Sequence, residues 1–550
     1  MRRPINVWAV TERGIIKFFY ACVLFVIIVE SREKFNVLLV IADDLRPALG
    51  CYEDKNAFSP HIDSFAKKSI LFYRAYAQQA LCAPSRNSLL TGRRPDTLHL
   101  YDFYSYWRDV AGNFTTLPQH FKDNGYHTMS IGKVFHPGVS SNWTDDAPYS
   151  WSQPAYHPPT EQFKEWPVCL GEHGRPERAV VCPVEVRFQP GRSLPDLQVL
   201  QEAASFLERG QRFLLAVGFH KPHLPLKYPR RYLDHHPLDS VSLPKDRWRP
   251  ATMPTVAWNP WTDLRERNDV ARLNLTFPFD PMPDRYSRMI RQSYYAATTY
   301  IDDLFGQLMD KLISTGHSND TIVLLTGDHG WSMGEHGEWS KYSNFEVAVR
   351  VPFILFVPGV TSPSLLHTHR GRPSSSPGLA ELVDVFPTLA DLAGVPLPRL
   401  CPEDSSAVQL CTEGVSLRPL VEQAVGRGGR PDRGWKAGVF SQYPRPGTFP
   451  TRRPNSDKPR LKDIAVMGYS LRTPDHRYTE WVQFADGRGS WDHVLARELY
   501  DHRLDPGEDV NLVNRPQLGQ LVDRLSSQLR AGWRLQPRRK ITVKKPSVVE

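Results

Sequence analysis

Short, uninterrupted apolar segments recur along this chain and limit the folds that it can adopt. They lie at 36–42, 213–219, 321–326 and 351–357, and the mixed segment 126–131 is a further predicted strand, the second of the five runs in chain order. Segments with a helical spacing of apolar residues separate several of them. Continuous runs rich in Val, Ile and Leu are typical of parallel strands that are buried on both faces of a sheet. The pattern therefore predicts an α/β sandwich with a large, mostly parallel central sheet.

The same spacing predicts where the long helices lie. Apolar residues recur at intervals of three and four in several segments, and Gly or Pro residues limit some of these segments. Helices are therefore expected over 117–124, 194–209, 284–314 and 378–393.

A change in composition divides the chain into two parts. The segment 426–438 is rich in Gly and Arg and has no periodicity, so it is interpreted as a linker. We expect a large N-terminal domain over 31–425, a smaller C-terminal subdomain over 439–533 and a basic tail over 534–550. The subdomain should contain a short antiparallel sheet and a final helix, with strands at 465–471, 478–484 and near 499–500 and the helix at 516–529.

Acidic residues follow two of the predicted strands at the points where the strands end. Asp43 and Asp44 come directly after the first apolar run, and Asp328 and His329 come shortly after the fourth. Open α/β sheets bind ligands at the carboxyl ends of their strands, so these four side chains form a candidate site for a divalent cation. In the alternative interpretation the aspartates only cap a turn or a helix.

Two other strand ends carry lysine or histidine side chains. Lys133 and His136 follow the second run, where they suit an anionic oxygen and a leaving-group proton. His220 and His223 follow the third run, and His223 is a candidate contact for an anionic group or a sugar. No other His or Cys stands at zinc-binding spacing from them, so a zinc site is not expected. Each side chain also has an ordinary interpretation as a solvated lysine or a loop histidine.

The segment QQALCAPSRNSLLTGRRP contains one cysteine among residues that start helices. Cys82 lies two residues before Pro84, which suits the first turn of a helix, where free backbone N–H groups favour an anion. Arg86 follows one helical turn later, so that its guanidinium can reach back toward the thiol. The alternative is a buried free cysteine without a chemical role.

A Gly-rich loop after the fourth run carries Trp331, Lys341 and Tyr342. An aromatic ring and a cation this close in sequence suit a sugar ring and an anionic group. A packed surface loop without a ligand accounts for the same residues.

The net charge indicates the kind of partner, and the first thirty residues indicate export through the secretory pathway. The formal charge of +9 favours an anionic partner, namely nucleic acid, an anionic membrane, or a sulfated or phosphorylated substrate. Arg2, Arg3 and Lys17 precede an apolar run at 18–29 that is too short to span a bilayer and fits a signal peptide over 1–30. An uncleaved anchor is the alternative, because the end of the run lacks a clear small-residue cleavage motif.

Export changes the interpretation of the other cysteines, because disulfides persist in an oxidising compartment. Cys169 and Cys182 flank one short loop and Cys401 and Cys411 flank another, so local pairing is the simplest expectation. Cys51 is interpreted as an inert core thiol. Four N-x-S/T sequons agree with passage through the secretory pathway and disfavour a nucleic-acid partner, at Asn113, Asn142, Asn274 and Asn319.

The cysteine segment resembles the signature of the type I sulfatases. Cys82-x-Pro84-Ser85-Arg86 is followed by Leu90-Thr91-Gly92-Arg93, and other segments that resemble this family occur in the family's order, namely IADDLRP, GKVFHPG, GDHGWSMGEHGEWSKYSN, RVPFI, GVSLRPLV and ELYDHRLDPGEDVNL. The resemblance implies an alkaline phosphatase-like fold with the catalytic domain over 31–425. It also implies that the thiol of residue 82 is converted to an aldehyde, formylglycine. One hydroxyl of the aldehyde hydrate would attack sulfur, and the other would later expel sulfate.

The resemblance also assigns roles to individual residues. It implies one Ca²⁺ ion held by Asp43, Asp44, Asp328, His329 and the modified Cys82, with His329 where many sulfatases have asparagine. It assigns catalytic roles to Cys82, Arg86, Lys133 and His136, and substrate contacts to His223, Lys341, Trp331 and Tyr342. In this assignment Arg86 holds the hydrate, the lysines and histidines contact sulfate, and the two aromatic residues contact a uronate.

Longer segments resemble the lysosomal members of this family that act on glycosaminoglycans. Among these segments are VGFHKPHLPLKYP, SQYPRP and NSDKPRLKDIAVMGYSLRT. They imply an exo-acting enzyme that removes the 2-O-sulfate of terminal iduronate in heparan sulfate and dermatan sulfate. The implied partners are the enzyme that generates formylglycine and a lysosomal sorting receptor that binds glycans. The resemblance implies no nucleic acid, no stable membrane insertion and a monomeric state.

Other functions stay compatible with these residues. Another sulfatase, or a phosphodiesterase or phosphonate hydrolase of the same superfamily, would use similar carboxylates and a related nucleophile. A secreted heparin-binding protein would need only positive charge, which falls from +9 to +7 when the four cationic and two acidic side chains of 1–30 are removed. The complete cysteine signature favours a sulfate ester as the substrate.

Overall fold

The computed structural model describes residues 34–171, 174–367, 371–427, 435–453 and 455–535. The predicted signal peptide lies outside these residues, as do the middle of the predicted linker and most of the predicted tail. The last residues of the predicted linker are described and lie against the N-terminal domain, where Lys436 Nζ is 2.7 Å from Glu381 Oε2.

The strands alternate with helices along most of the chain. In chain order the strands of the described residues are β1 (Asn36–Asp43), β2 (Ile70–Phe72), β3 (Ala75–Tyr76), β4 (His127–Gly132), β5 (Cys169–Leu170), β6 (Pro176–Glu177), β7 (Val181–Val184), β8 (Phe213–Pro222), β9 (Leu226–Pro229), β10 (Thr321–Gly327), β11 (Ser332–Met333), β12 (Trp339–Ser340), β13 (Arg350–Val351), β14 (Phe353–Phe356), β15 (Ser374–Ser376), β16 (Ala380–Glu381), β17 (Val439–Arg445), β18 (Val466–Arg472), β19 (His476–Ala485) and β20 (Arg488–Asp501).

The helices of the same residues are α1 (Pro60–Ala66), α2 (Cys82–Thr91), α3 (Pro95–Leu98), α4 (Trp107–Val110), α5 (Leu117–Asp123), α6 (Pro195–Leu207), α7 (Thr262–Arg265), α8 (Asn268–Ala271), α9 (Asp284–Ser314), α10 (Glu346–Val349), α11 (Val385–Leu392), α12 (Arg418–Ala424) and α13 (Gly519–Ala531). None of these helices combines the length and the apolar character needed to cross a membrane. Three of the four predicted helices are confirmed within two residues at each end.

The central sheet has seven strands in the spatial order β15-β2-β14-β10-β1-β8-β4. β4, β8, β1 and β10 are parallel neighbours, whereas β14 runs antiparallel to β10. The expected large sheet is confirmed, but it is mixed, because the predicted strand at 351–357 pairs in the opposite direction. A parallel connection needs a crossover that is usually a helix, and the only α-helix in the described chain between β10 and β14 is α10, which has four residues.

Both faces of this sheet are covered, which explains why its strands are apolar throughout. Leu38 and Val40 of β1 join one core, to which the long helix α9 contributes. Val37 and Leu39 of the same strand point to the opposite face and join a second core with α2, α5 and α11. The molecule therefore has the predicted α/β sandwich architecture, with α2 packed on one face of the sheet.

The C-terminal subdomain contains a four-stranded antiparallel sheet in the order β17-β18-β19-β20, and α13 follows it. This confirms the expected short antiparallel sheet, and β17 is an addition to the three predicted strands. The backbone N–H of Gln442 in β17 donates a hydrogen bond to the carbonyl of Gln78, 2.8 Å away. The first strand of the subdomain is therefore bonded to the segment that precedes Cys82.

The helix predicted over 378–393 is wrong in its first part. Ala380 and Glu381 form β16, which pairs with β3, and the helix α11 begins only at Val385. The carboxylate of Asp384 accepts a hydrogen bond from the backbone N–H of Glu381 at 2.8 Å and stabilises the turn between the two elements. Pairing with another strand therefore overrides the helical spacing of this segment.

The cysteines pair as expected. Disulfides join Cys169 to Cys182 and Cys401 to Cys411. Cys51 is free and half-buried, and burial together with the neighbouring Asp63 raises the pKa of its thiol. A thiol with a raised pKa stays protonated, in agreement with an inert role.

A buried ion-pair network joins the C-terminal subdomain to the large domain. Glu508 is 1% exposed and accepts hydrogen bonds from Arg477 Nε at 2.5 Å and from the backbone N–H of Glu346 at 2.8 Å. Arg472 Nε in turn lies 3.0 Å from Glu346 Oε2. Glu346 begins α10 shortly after the loop that carries Lys341, so the C-terminal subdomain fixes one end of that loop.

The Glu508→Gln variant tests this network. It is expected to be less stable than the wild type by about 3 kcal/mol, because it leaves the buried Arg477 guanidinium without its carboxylate. The difference is measured as the free energy of unfolding in a denaturant titration. Arg230→Gln, which breaks an exposed ion pair with Glu185, is the matched control and should leave this free energy nearly unchanged. Equal losses in the two variants would contradict the role of the network.

Candidate active site

The predicted strand-end residues meet at one edge of the central sheet. Asp43 is the last residue of β1, Asp328 follows β10, Lys133 follows β4 and His223 follows β8. β1 lies between β10 and β8, and β4 lies on the far side of β8. The parallel part of the sheet therefore brings together four residues that are far apart in sequence, at the edge where open α/β sheets bind ligands.

Cys82 is the first residue of α2 and lies at the same edge. Its side chain is 1% exposed, and its Sγ lies 3.2 Å from Lys341 Nζ and 3.4 Å from His329 Nε2. The first turn of an α-helix also presents backbone N–H groups that have no partner within the helix. The group at position 82 therefore lies among hydrogen-bond donors and a lysine ammonium, with the strand-end carboxylates also close to it.

Arg86 holds two of the aspartates in place. Its guanidinium is fully buried, with Nε 2.9 Å from Asp328 Oδ2 and one terminal nitrogen 2.9 Å from Asp43 Oδ1. Its other terminal nitrogen donates to the carbonyl oxygens of Lys133 and Val134. These contacts show Arg86 as the group that joins the ends of β1, β10 and β4. The role predicted for it in holding a hydrate stays a prediction.

Two buried lysines pair with the aspartates of β1. Lys133 Nζ lies 2.5 Å from Asp43 Oδ2, and Lys341 Nζ lies 2.6 Å from Asp44 Oδ1. Although burial opposes the charged form of Lys341, Asp44 and its neighbours hold the pKa of this ammonium well above its ordinary value. Burial likewise opposes ionisation of Asp43, but the charges of Lys133 and Arg86 keep the pKa of that carboxyl well below its usual range. Both groups are therefore charged at neutral pH.

The donor atoms of this cluster fit a divalent cation. Two sets of ligand atoms each lie within 4.8 Å of one another. One set comes from Asp43, Asp44, Cys82 and His223, and the other from Cys82, Asp328 and His329. Asp44 Oδ2 is buried and has no hydrogen-bond partner among the described residues. A buried carboxylate oxygen without a partner is costly, and a hard cation such as Ca²⁺ would satisfy it. The structure thus brings together all five predicted ligands and adds His223 to their surroundings.

The approach of β4 to β8 depends on two glycines. A Cβ added to Gly218 would lie 1.9 Å from the carbonyl oxygen of Lys133, and one added to Gly132 would lie 2.2 Å from the carbonyl oxygen of Gly218. Any side chain here would push the two strand ends apart. The glycines therefore let Lys133 leave β4 at the position where its ammonium reaches Asp43.

His136 and His223 are neutral in this environment. Burial and the charge of Lys133 hold the pKa of His136 well below its ordinary value, and burial with the charge of Lys164 does the same for His223. His136 Nδ1 is buried and has no hydrogen-bond partner within the described residues. A neutral imidazole beside two lysines is ready to gain a proton once an anion enters the site.

The two predicted aromatic contacts are enclosed by protein. Trp331 is 1% exposed, and its ring stacks on that of Tyr294 with the centroids 5.4 Å apart. The hydroxyl of Tyr342 is also buried and donates a hydrogen bond to Asp263 Oδ2 at 2.7 Å. These contacts give both residues a role in packing, and contact with a substrate stays a prediction for them.

Two residues near Tyr342 were not anticipated. Asp263 accepts its hydroxyl proton, and Lys458 Nζ lies 5.3 Å from the centroid of its ring. Lys458 belongs to the segment NSDKPRLK of the C-terminal subdomain, whose sequence was part of the family resemblance but carried no specific role. Nothing in its local pattern indicates proximity to Lys341, because only the docking of the subdomain brings the two together.

Comparisons with known proteins agree with this geometry. Residues 35–395 match the family model named Sulfatase. Iduronate 2-sulfatase of Mus musculus is 48% identical over 521 residues, which cover 90% of this chain and 94% of that protein. Iduronate 2-sulfatase of Homo sapiens is also 48% identical, with 90% of this chain and 94% of that protein covered. The solved structure of a phosphonate monoester hydrolase from Silicibacter pomeroyi matches with a TM-score of 0.67 and 20% identity. The match covers 92% of this chain and 96% of that one, and it shows that the two share a fold.

The Gly218→Ala variant tests the close approach of β4 and β8. It is expected to lose about 2 kcal/mol of stability, because the added methyl group meets backbone atoms that cannot move independently. The measurement is the free energy of unfolding in a denaturant titration. Gly519→Ala is the control, since a Cβ at position 519 would meet nothing within 4 Å and its backbone is helical. A variant at 218 as stable as the control would contradict the packing argument.

Proposed function

This chain belongs to the sulfatase family, and from that premise we propose that it is an exo-acting lysosomal enzyme that removes the 2-O-sulfate of terminal iduronate in heparan sulfate and dermatan sulfate. The observation that carries the proposal is the position of Cys82, whose Sγ lies 3.2 Å from Lys341 Nζ and 3.4 Å from His329 Nε2, beside the aspartates. The 48% identity to the mouse and human iduronate 2-sulfatases, over 90% of this chain, supports the choice of substrate.

The residues at this edge fit the two groups that sulfatases generally use, Ca²⁺ and formylglycine. One Ca²⁺ ion would be held by Asp43, Asp44, Asp328 and His329 together with residue 82. The ion would draw charge away from the sulfate group, and oxidation of Cys82 to formylglycine would provide the attacking oxygen. The unpartnered Asp44 Oδ2 supports the presence of a cation.

Lys133 and Lys341 are suited to bind the sulfate group. Each ammonium has three N–H donors, and the described contact of each with an aspartate uses only part of this capacity. Asp43, Asp44 and Asp328 carry as many negative charges as Arg86, Lys133 and Lys341 carry positive charges. A bound divalent cation would then leave a net positive charge, which favours an anionic ester and the charge that develops on its oxygens.

His136 is the candidate for the leaving-group proton. Its pKa is low because it is buried beside Lys133. An anionic sulfate ester next to the ring would raise this pKa and let the imidazole hold a proton. The leaving oxygen of the sugar needs that proton when the S–O bond breaks. His223 donates its Nδ1–H to the carbonyl oxygen of Leu224 at 2.6 Å, and burial with the charge of Lys164 keeps its pKa low. It could therefore donate to a sulfate oxygen through Nε2 only after the entering anion has raised this pKa and Nε2 has gained a proton.

Delivery to lysosomes is part of the same proposal. The sequon asparagines Asn113, Asn142, Asn274 and Asn319 are all exposed in the structure, which supports their glycosylation. The proposed partners during maturation are the enzyme that oxidises Cys82 and a sorting receptor that binds glycans. The protein is expected to act as a monomer.

The Cys82→Ser variant tests the catalytic role of position 82. It is expected to fold normally and to lose turnover by at least about a thousandfold, because serine is not converted to the aldehyde and is a weak nucleophile without it. The assay measures sulfate released from a disaccharide with a terminal 2-O-sulfated iduronate. Full activity of this variant would exclude the formylglycine mechanism.

Two controls make that result specific. A mass spectrum of the peptide that spans residue 82 in the wild-type protein should show aldehyde oxygen in place of the thiol. Assays of matched phosphate and phosphonate esters should give far lower kcat/KM than the sulfate ester. An unmodified thiol in fully active protein, or a preference for phosphonate, would contradict the proposal.

Removal of the cation is expected to destabilise the protein. A cation bound at a hundredfold excess over its Kd stabilises the folded state by about 2.7 kcal/mol, and a chelator would remove this contribution. The measurement is the Tm before and after dialysis against a calcium chelator, with Ca²⁺ added back. Asp44→Asn should show a much smaller response, because it weakens the site. A wild-type Tm that changes with neither the chelator nor added Ca²⁺ would contradict the assignment of a cation site.

A further inference from the structure

A cavity of about 220 Å³ lies between the large domain and the C-terminal subdomain. The wall from the large domain includes Gln78 and the segment 94–97, and the opposite wall includes Trp491, Trp533 and Arg534. Sites for drug-sized ligands measure about 300–1,000 Å³, so this smaller cavity suits a single monosaccharide unit.

Two tryptophan rings form part of the wall. Trp491 is half-buried and packs against Tyr469, with the ring centroids 5.0 Å apart. Trp533 is also half-buried, and its ring centroid lies 4.1 Å from the guanidinium carbon of Arg534 and 5.7 Å from that of Arg94. Half-buried aromatic rings at a cavity offer apolar faces on which the C–H face of a sugar ring can pack.

The three arginines that line the cavity differ in their partners. Arg94 Nη1 lies 2.8 Å from Glu381 Oε1. Arg530 Nη2 likewise lies 2.9 Å from Glu480 Oε2, so a carboxylate balances each of these two charges. Arg534 donates to a backbone carbonyl at 2.9 Å and to a hydroxyl at 2.6 Å, and within the part of the chain that the structure describes it forms no ion pair. An anion that enters the cavity would therefore pair with Arg534.

The wall from the large domain carries groups that can accept hydrogen bonds from hydroxyls. Asp96 is exposed, and its Oδ1 accepts a hydrogen bond from Gln442 Nε2 at 2.8 Å. A carboxylate has about four lone-pair sites, so Asp96 can accept further bonds from a ligand. Gln78 is 1% exposed, and its Oε1 has no hydrogen-bond partner among the described residues. A buried amide oxygen without a partner is costly, and a ligand hydroxyl would satisfy it.

Two other occupants do not match this cavity. None of the four sequon asparagines is among the residues that line it, so a glycan of this chain does not begin there. The segment 536–550 contains five basic residues and one acidic residue. Like charges oppose contact between this segment and Arg534, whereas an acidic ligand is attracted to that residue.

We propose that this cavity binds one acidic sugar unit, a uronate, at a site separate from the candidate active site. Its carboxylate pairs with Arg534, and its ring packs against Trp491 and Trp533. Its hydroxyl groups donate to Asp96 and Gln78. Because both walls contact the sugar, the ligand joins the C-terminal subdomain to the large domain. The inference does not rest on the proposed function, since the sugar is bound and not hydrolysed.

Titration of the intact protein with D-glucuronate tests the site. Saturable binding with a Kd of about 1 mM is expected, together with a change in tryptophan fluorescence, because the sugar lies against two tryptophan rings. D-glucose has the same ring without the carboxylate, and its Kd should be about fivefold higher. Equal affinities for the two sugars, or no saturable binding of glucuronate, would overturn the inference.

The Arg534→Gln variant tests the contact with the carboxylate. It is expected to raise the Kd for glucuronate about fivefold and to leave the Kd for glucose within about twofold, because it removes only the partner of the anion. Arg524→Gln is the matched control, since it removes the same charge from an exposed residue of α13 that is not among those that line the cavity. Glucuronate binding that survives Arg534→Gln, or that both variants weaken equally, would place the sugar elsewhere and overturn the site.

Two further measurements separate a sugar from a simple anion and a free sugar from a chain end. Trp491→Leu should weaken the binding of both sugars, and unchanged affinities would contradict the packing of the ring. Where glucuronate and its methyl glycoside both bind, the ligand is the end of a glycan chain, and where only the free acid binds, it is a free sugar. These titrations involve no turnover, so their failure is distinguishable from a failure to release sulfate, which tests the proposed function.

Discussion

The site is built around one fully buried guanidinium. Arg86 bonds the carboxylates of Asp43 and Asp328, at the ends of β1 and β10, and the carbonyl oxygens that follow β4. Charges removed from water are tolerated only when they are paired and their hydrogen bonds are satisfied, so these strand ends and α2 have to come together as one unit. Cys82 lies four residues before Arg86 on the same helix, and its position follows from those ion pairs.

The C-terminal subdomain secures both flanks of this arrangement. Gln442 of β17 is bonded to Gln78, just before the cysteine segment, and Glu508 is bonded to the start of α10, just after the loop of Lys341. The candidate catalytic residues come from the large domain, but two of the segments that carry them are held by residues that come more than one hundred positions later. The small subdomain is thus part of the framework of the site.

Local sequence patterns were sufficient for the positions of the apolar strands and of the long amphipathic helix. The apolar runs of β1, β8 and β10 and the full extent of α9 could be predicted, and so could the meeting of Asp43, Lys133, His223 and Asp328, because parallel strands end at a common edge. Features that depend on distant partners could not be predicted. Tertiary contacts that leave no periodic signal in the sequence determine three such features. They are the direction of β14, the pairing of β16 with β3, and the approach of Lys458 to Tyr342. Trp331 and Tyr342 illustrate the same limit, since their enclosure by Tyr294 and Asp263 is visible only in the fold.

The near-complete enclosure of Cys82 sets an order of events in biosynthesis. An enzyme cannot reach a side chain that is 1% exposed, so the proposed oxidation of this thiol would have to precede the docking of α2. Gln442 and Glu508, which hold the flanking segments, come late in translation and would leave an interval for that reaction. Oxidation and folding would then compete in time, and a chain that folds too early would be trapped as a stable but inactive protein.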